Sequence, residues 1–294
     1  MNVYDAPGLT ADWLNGWLAA IGVTVLLSDV RLSWSDDAIP IARFHHPTEV
    51  DFVSAAAAAL PTEQSLAASV IARRLDGATH EFARNVTLEA FQERASLERA
   101  GQSHHLAASV TDLVRDAHLD RVNLPHGAFD PPAPRGETLW SRVNACVEKL
   151  GQVPDRAERV AAALAGAGTR AQLNGLGFDS RRLPSGLHAA GATNKVYADP
   201  IVETLCFEAL RLFPVRGNGR ASRQRGWLGT PSQRAAFTWM AWSPALDRWA
   251  IDALLDHAQI AGARPPVIAR YKVVPYQPSG ASDTTRAYFS ERSG

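Results

Sequence analysis

The chain is poor in lysine: Lys149, Lys195 and Lys272 are its only ones, and every other basic side chain is arginine. It has only two cysteines, Cys146 and Cys206, each set in an apolar helical context. Two isolated thiols without a spaced histidine pattern argue against a structural zinc site and against a disulfide framework. They read instead as buried free thiols in a reducing compartment. No apolar run is long enough to span a bilayer, the Trp17–Leu27 stretch being both short and interrupted. The N-terminus lacks a basic segment followed by an apolar core and cleavage site. A cytoplasmic protein without a membrane segment is the expectation.

Catalytic signatures are missing too. There is no G-x-S-x-G elbow and no G-x-x-x-x-G-K-[ST] phosphate loop. Gly175-x-Gly177 lacks the third glycine and the preceding strand of a dinucleotide site, so its glycines read as turn residues. His45-His46 and His104-His105 are adjacent pairs, and neighbours on a strand or helix point apart. Without an H-E-x-x-H spacing they read as surface or hairpin-end histidines. Asp36-Asp37 sits at a predicted turn and reads as turn chemistry. No enzyme, no metal and no cofactor are expected.

One further absence is the most informative. No acidic residue lies between Glu208 and Asp247, and the interval holds Arg211, Arg216, Arg220, Arg223, Arg225 and Arg234. Most of them surround the Gly/Ser-rich stretch Pro214-Val-Arg-Gly-Asn-Gly-Arg-Ala-Ser-Arg-Gln-Arg-Gly-Trp227, which reads as a mobile loop. Arginine offers phosphate two donors at once, and Trp227 on a flexible segment is suited to stacking on a base. Arg216, Arg220, Arg223, Arg225 and Trp227 are therefore the candidate nucleic-acid contacts. Arg181, Arg182 and Lys195 are candidates to extend that surface. Among the other tryptophans, Trp13, Trp17, Trp34 and Trp140 read as core, as do Trp239 on a strand and Trp249 on a helix.

Charge is unevenly spread although the formal total is zero. Residues 1–120 carry 16 acidic and 8 basic side chains, and residues 121–294 carry 14 and 22. The basic half can dock on a polyanion, or the two halves can pair with each other. With 46% apolar and 20% charged residues in 294, the chain can bury a large core, as one domain or two intimately packed lobes.

Periodicity gives an α+β reading. A helix is expected around Leu14–Ile21 with Thr10 as its cap, and Val23–Leu27 finishes it or begins a strand. A hairpin of Val30–Trp34 and Ala38–Phe44 follows. Pro47 suits the first turn of a helix through Ala55–Ala59. Glu63–Leu75 and Thr87–Arg99 continue a helical middle. The proline-rich 125–134 segment divides an acidic N-terminal lobe, 1–124, from a basic C-terminal lobe, 135–294. That second lobe is mixed, with short strands. Helices are expected at Glu137–Leu150, Asp155–Ala165, Asp199–Phe213 (capped by Asp199 with Pro200 at its first position) and Asp247–His257. Arg234–Trp242 and Val267–Tyr276 read as strands, the latter as the final one.

Three stretches resemble a known family. Leu14-Asn-Gly-Trp-Leu-Ala-Ala-Ile-Gly-Val-Thr-Val-Leu-Leu27, followed by Val30-Arg-Leu-Ser-Trp34, is similar to the start of large-subunit (signature) proteins of type I-G (formerly I-U) CRISPR surveillance complexes. Asn174-Gly-Leu-Gly-Phe-Asp-Ser-Arg-Arg182 resembles a second stretch of those proteins. So does Asp199–Val215 with the Arg225-Gly-Trp227 and Phe237-Thr-Trp239 that follow. The resemblance implies a non-catalytic member of an RNA-guided antiviral complex. Its expected partners are the other complex subunits, guide RNA, target DNA and a recruited helicase–nuclease. Guide pairing reads sequence in such complexes, and protein reads shape and the flanking motif. Two other readings stay open: a scaffold that binds protein subunits or guide RNA alone, and a metal-dependent nuclease using His45, His46 and dispersed carboxylates.

Overall fold

A computed structural model describes residues 1–68, 85–87, 121–123, 139–152, 154–173, 175, 197–213, 215–217, 222–228, 236–257, 266–276 and 287–293. The fold is α+β, with helices and small antiparallel sheets in the described parts.

The chain opens with a strand, β1 (Asn2–Thr10), where only the following helix was expected. β1 pairs antiparallel with β3 (Ile41–His46), which pairs in turn with β2 (Arg31–Trp34) as the predicted hairpin. Register shifts between Ala6 and Thr10, where Pro7 and Gly8 interrupt the ladder. That interruption removes the clean alternation by which a strand is read. Thr10 is thus a strand residue, and the helix α1 (Leu14–Leu26) starts after Trp13 without a side-chain cap. Val23–Leu26 finishes the helix.

Helix α2 (Phe52–Ala59) is capped by Asp51, whose carboxylate accepts from the Ser54 amide and hydroxyl at 3.3 and 2.7 Å. Pro47 lies in the preceding turn, bonded through its carbonyl to the Val50 amide. α3 (Glu63–Ala68) follows. Strands β4 (Asn85–Thr87) and β5 (Arg121–Asn123) pair with each other, so Thr87 ends a strand. The rest of the expected Thr87–Arg99 helix, and the 125–134 division, lie outside the described residues.

Helices α4 (Leu139–Gly151) and α5 (Arg156–Ala165) match their expected positions, α5 being capped by Asp155. The short pair β6 (Ala171–Gln172) and β7 (Tyr197–Ala198) leads into α6 (Pro200–Ala209). The Asp199 carboxylate accepts from the Ile201 amide at 2.9 Å, with Pro200 at the first helical position. A 3-10 turn, Leu210–Leu212, closes that helix.

The last part is an antiparallel sheet in the order β10 (Trp227–Leu228), β11 (Ala236–Trp242), β12 (Val267–Tyr276) and β13 (Ala287–Ser293). Helix α7 (Arg248–His257) connects β11 to β12. β13 is a strand beyond the one expected to be last.

These parts converge on α1. Twelve of its residues, from Leu14 to Val25, are buried, and α6 is buried along its whole length. The two helices cross closely enough that a methyl group on Gly22 would overlap the Leu205 carbonyl oxygen. Two polar contacts lie inside the crossing: Asn15 Nδ2 donates to Glu203 Oε1 at 2.9 Å, and the Cys206 thiol donates to the Asn15 carbonyl at 3.1 Å, while Asn15 Oδ1 is buried without a partner. Tryptophan indoles fasten the sheets around it. Trp17 donates to the Met240 carbonyl, Trp239 to that of Ala11 and Trp242 to that of Leu32, at 2.8, 2.6 and 3.0 Å. Leu32 and Leu246 also exchange both backbone hydrogen bonds. One continuous apolar cluster therefore runs from Ala6 to Tyr271 and draws on both sides of the proline-rich division.

Gly22→Ala should cost about 3 kcal/mol, because neither helix backbone can yield without opening the core around Trp17. Urea unfolding should show a lowered midpoint, and an unchanged midpoint would mean that the helices are not locked at this crossing.

Candidate nucleic-acid interface

The arginine-rich stretch is an ordered hairpin where it is described, rather than the loop its composition suggested. β8 (Val215–Gly217) pairs antiparallel with β9 (Ser222–Gln224), in the register Val215↔Gln224, Arg216↔Arg223 and Gly217↔Ser222. The sequence does carry a turn signal between these strands, the dipeptide Asn218-Gly219. Register brings Arg216 and Arg223 into direct cross-strand opposition. Like charges so placed disfavour the pairing by a fraction of a kcal/mol unless an anion lies nearby.

Arg225 requires a correction. Expected as a cation offered to a ligand, it is 7% exposed and already engaged. Its guanidinium meets Asp252 Oδ1 at 2.5 Å and Asp256 Oδ1 at 2.7 Å, and donates to the Leu212 carbonyl at 2.7 Å. The two carboxylates lie beyond the acid-free interval in sequence, but one turn apart on α7 they share a face and receive different nitrogens. Arg211 is likewise paired, with the buried Glu208 carboxylate. Burial pushes Glu208 upward from the ordinary carboxylate range, and the Arg211 charge opposes that shift.

Trp227 is also placed differently from expectation. It belongs to β10 and lies opposite Phe237, so it is a strand residue and not part of a loose segment. Gly226 before it has φ +79°, and its carbonyl accepts from both the amide and the hydroxyl of Thr238 at 2.8 and 3.2 Å. A side chain there would be strained and would press on the Phe237 ring. Trp249 reverses its expectation in the other direction, being 67% exposed. Arg181, Arg182, Lys195 and Arg220 lie outside the described residues, as do His104 and His105.

His45 and His46 make their contacts within the fold. His45 Nε2 shares a 2.8 Å hydrogen bond with Ser33, and buried His46 stacks on Phe52 at 5.4 Å between centroids. Burial, with the Arg43 and Arg31 charges, lowers the His45 pKa. Among the described residues, no cluster of three or more His, Cys, Asp or Glu is placed to hold a metal ion. No described helix is long and apolar enough to cross a membrane. Burial, followed by the Glu203 charge, pushes the Cys146 thiol well up, which makes it a poor nucleophile.

A pocket of about 80 Å³ lies where β1, α5 and α6 meet, lined by Trp13, Arg170, Asp199, Glu203 and the glycines 8, 166 and 168. Its volume has room for a few water molecules. Gly175 has φ +54°, and a methyl group there would lie 2.7 Å from the Glu203 carboxyl carbon. Gly175 thereby lies against the same helix that lines the pocket. Burial raises the Asp199 pKa, although amide donors and the charges of Arg159 and Arg170 oppose it.

No family model, curated protein or solved structure matches the chain.

Two measurements follow from these charges. Arg225 is buried while Asp252 and Asp256 reach solvent, so losing the carboxylates should cost more than losing the guanidinium. The double substitution Asp252→Asn with Asp256→Asn should cost roughly 2–4 kcal/mol, and Arg225→Met less. Equal losses in thermal unfolding would contradict that asymmetry. For Asp199, a raised folded-state pKa means that folding favours the protonated acid. Its contribution is fully present below the unfolded value and is lost as pH rises through the folded one. Asp199→Asn keeps the cap and removes the titration. Its stability relative to wild type should therefore rise as pH climbs above the ordinary carboxylate range. A constant difference in urea midpoint would count against it.

Proposed function

We propose that this chain is a non-catalytic subunit of a type I RNA-guided surveillance complex that contacts target DNA through the Val215–Gln224 hairpin. The contact serves recognition of the flanking motif or stabilisation of the opened duplex. The observation that carries the reading is the Arg216↔Arg223 register, which concentrates positive charge at one rung of a ladder within an acid-free interval. A phosphate between such residues relieves their repulsion and receives charge-assisted donors from both. Arg220, which falls between the two strands in sequence, and Arg181, Arg182 and Lys195 are included in the proposed contact. Arg225 serves as the anchor: its pairing with α7 fixes the end of the hairpin to the core. Guide RNA, the neighbouring subunits and a recruited helicase–nuclease supply base pairing, assembly and cleavage, and the workplace is the cytoplasm.

The test uses the assembled complex and target DNA. Replacing Arg216 and Arg223 together by alanine should weaken binding and reduce the slope of log affinity against log salt by nearly two, each lost phosphate contact contributing about 0.9. An unchanged slope removes the hairpin from the DNA. Assembly with guide RNA but no photocrosslink from this chain to DNA would make it a scaffold instead.

A further inference from the structure

Arg248 and Trp249, the first two residues of α7, form a second feature that the hairpin does not use. Trp249 is the most exposed large apolar side chain described in the chain, at 67%. The Arg248 guanidinium carbon sits 4.3 Å from its ring centroid. Among the described residues Arg248 has no carboxylate partner, and its Nε is buried without an acceptor. Arg211 and Arg225 are both neutralised by carboxylates, so Arg248 contrasts with them. An indole held this way is covered by a cation on one side and open to solvent over the rest of its surface.

Its position is tied to the hairpin. Asp252 and Asp256 stand three and seven residues after Trp249, on the same face of α7, and both are bound to Arg225. Asp252 is about 5 Å further along the helix axis than Trp249, at 1.5 Å per residue. Arg225 directly follows β9, which carries Arg223. Trp249 therefore lies within one helical turn of the clamp that seats the arginine hairpin.

We propose that Trp249 and Arg248 form a stacking site for an unpaired nucleobase of single-stranded DNA, next to the phosphate-binding hairpin. This assignment rests on the function proposed above. Every base has a π-face, so such a site accepts any sequence. Arg248 contributes cation–π polarisation of the ring. Asp247 lies here too, its carboxylate accepting from the Trp249 amide at 3.1 Å, so three carboxylates accompany Arg225 and Arg248 and the platform carries no net positive charge. Its binding energy comes from stacking and depends little on salt. The aromatic role that the sequence suggested for Trp227 passes to Trp249.

The test is made in the assembled complex with a target whose opened strand carries 5-bromodeoxyuridine. Irradiation should give an adduct on the peptide containing Trp249. Trp249→Ala should weaken binding about tenfold or more and abolish that adduct, Trp249→Phe should retain most affinity, and neither should alter the salt slope or the melting temperature. Arg216→Ala with Arg223→Ala should lower the slope and leave the adduct position unchanged. A lowered slope in that double variant with wild-type binding by Trp249→Ala overturns the stacking site and leaves the subunit reading standing. Loss of a neighbouring subunit from the Trp249→Ala complex makes the residue a protein anchor and overturns it too. If the wild-type complex does not bind DNA, both proposals fall.

Discussion

The structure hangs on the contact between α1 and α6, where Gly22 lets one helix backbone reach the Leu205 carbonyl of the other. Around 180 residues of chain separate these positions, so closing that loop carries an entropy cost that only extensive burial offsets. The burial is extensive: Leu18, Ile21, Cys206 and Phe207 are inaccessible to solvent. Once the crossing is formed, the positions of both sheets follow from it. Trp17 leaves α1 to bond the Met240 carbonyl and meets the Phe213, Phe237 and Trp239 rings at about 6 Å. The sheet that ends the chain is thus oriented by a side chain near its beginning. Division into an acidic and a basic part is real in sequence, but the core does not observe it.

What sequence made legible was local. Asp199-Pro200 announced α6, Asp155 announced α5, and the β2–β3 hairpin and β12 lay where alternation put them. Each of these signals is carried by a few neighbouring residues. β1 was hidden because Pro7 and Gly8 break its alternation, although Gly8 is required there: a side chain would collide with the backbone at Ala163 and Gly166. The arginine hairpin was hidden by composition, since glycine and serine suggest a loop before register is considered. Trp249 was misplaced because a tryptophan on an amphipathic helix is usually buried, and only tertiary context reveals which flank of α7 meets the core.

The arginines show where local reading stops. Six of them share an interval without one acidic residue, which made all of them look unpaired. Arg211 finds Glu208 one turn back, and Arg225 finds two carboxylates about thirty residues on. Electrostatic pairing is set by distance in space, and an acid-free interval constrains only the neighbours that a helix or a tight turn can reach. The Asp252 and Asp256 spacing was visible as an acidic stripe, yet nothing in the sequence named its partner.

The same clamp seats the end of a cation-rich hairpin on α7. A buried guanidinium between two solvent-reaching carboxylates loses little water that is not replaced by ionic and carbonyl partners. Arg225 therefore spends its charge inside the protein. With Gly226 turned to positive φ and bonded to Thr238, the backbone enters β10 in one defined direction. Under the proposed function, rigidity at the base of the hairpin reduces the entropy lost when its arginines meet a strand, and α7 carries Trp249 alongside. Under that function, position more than the number of arginines is what the fold contributes.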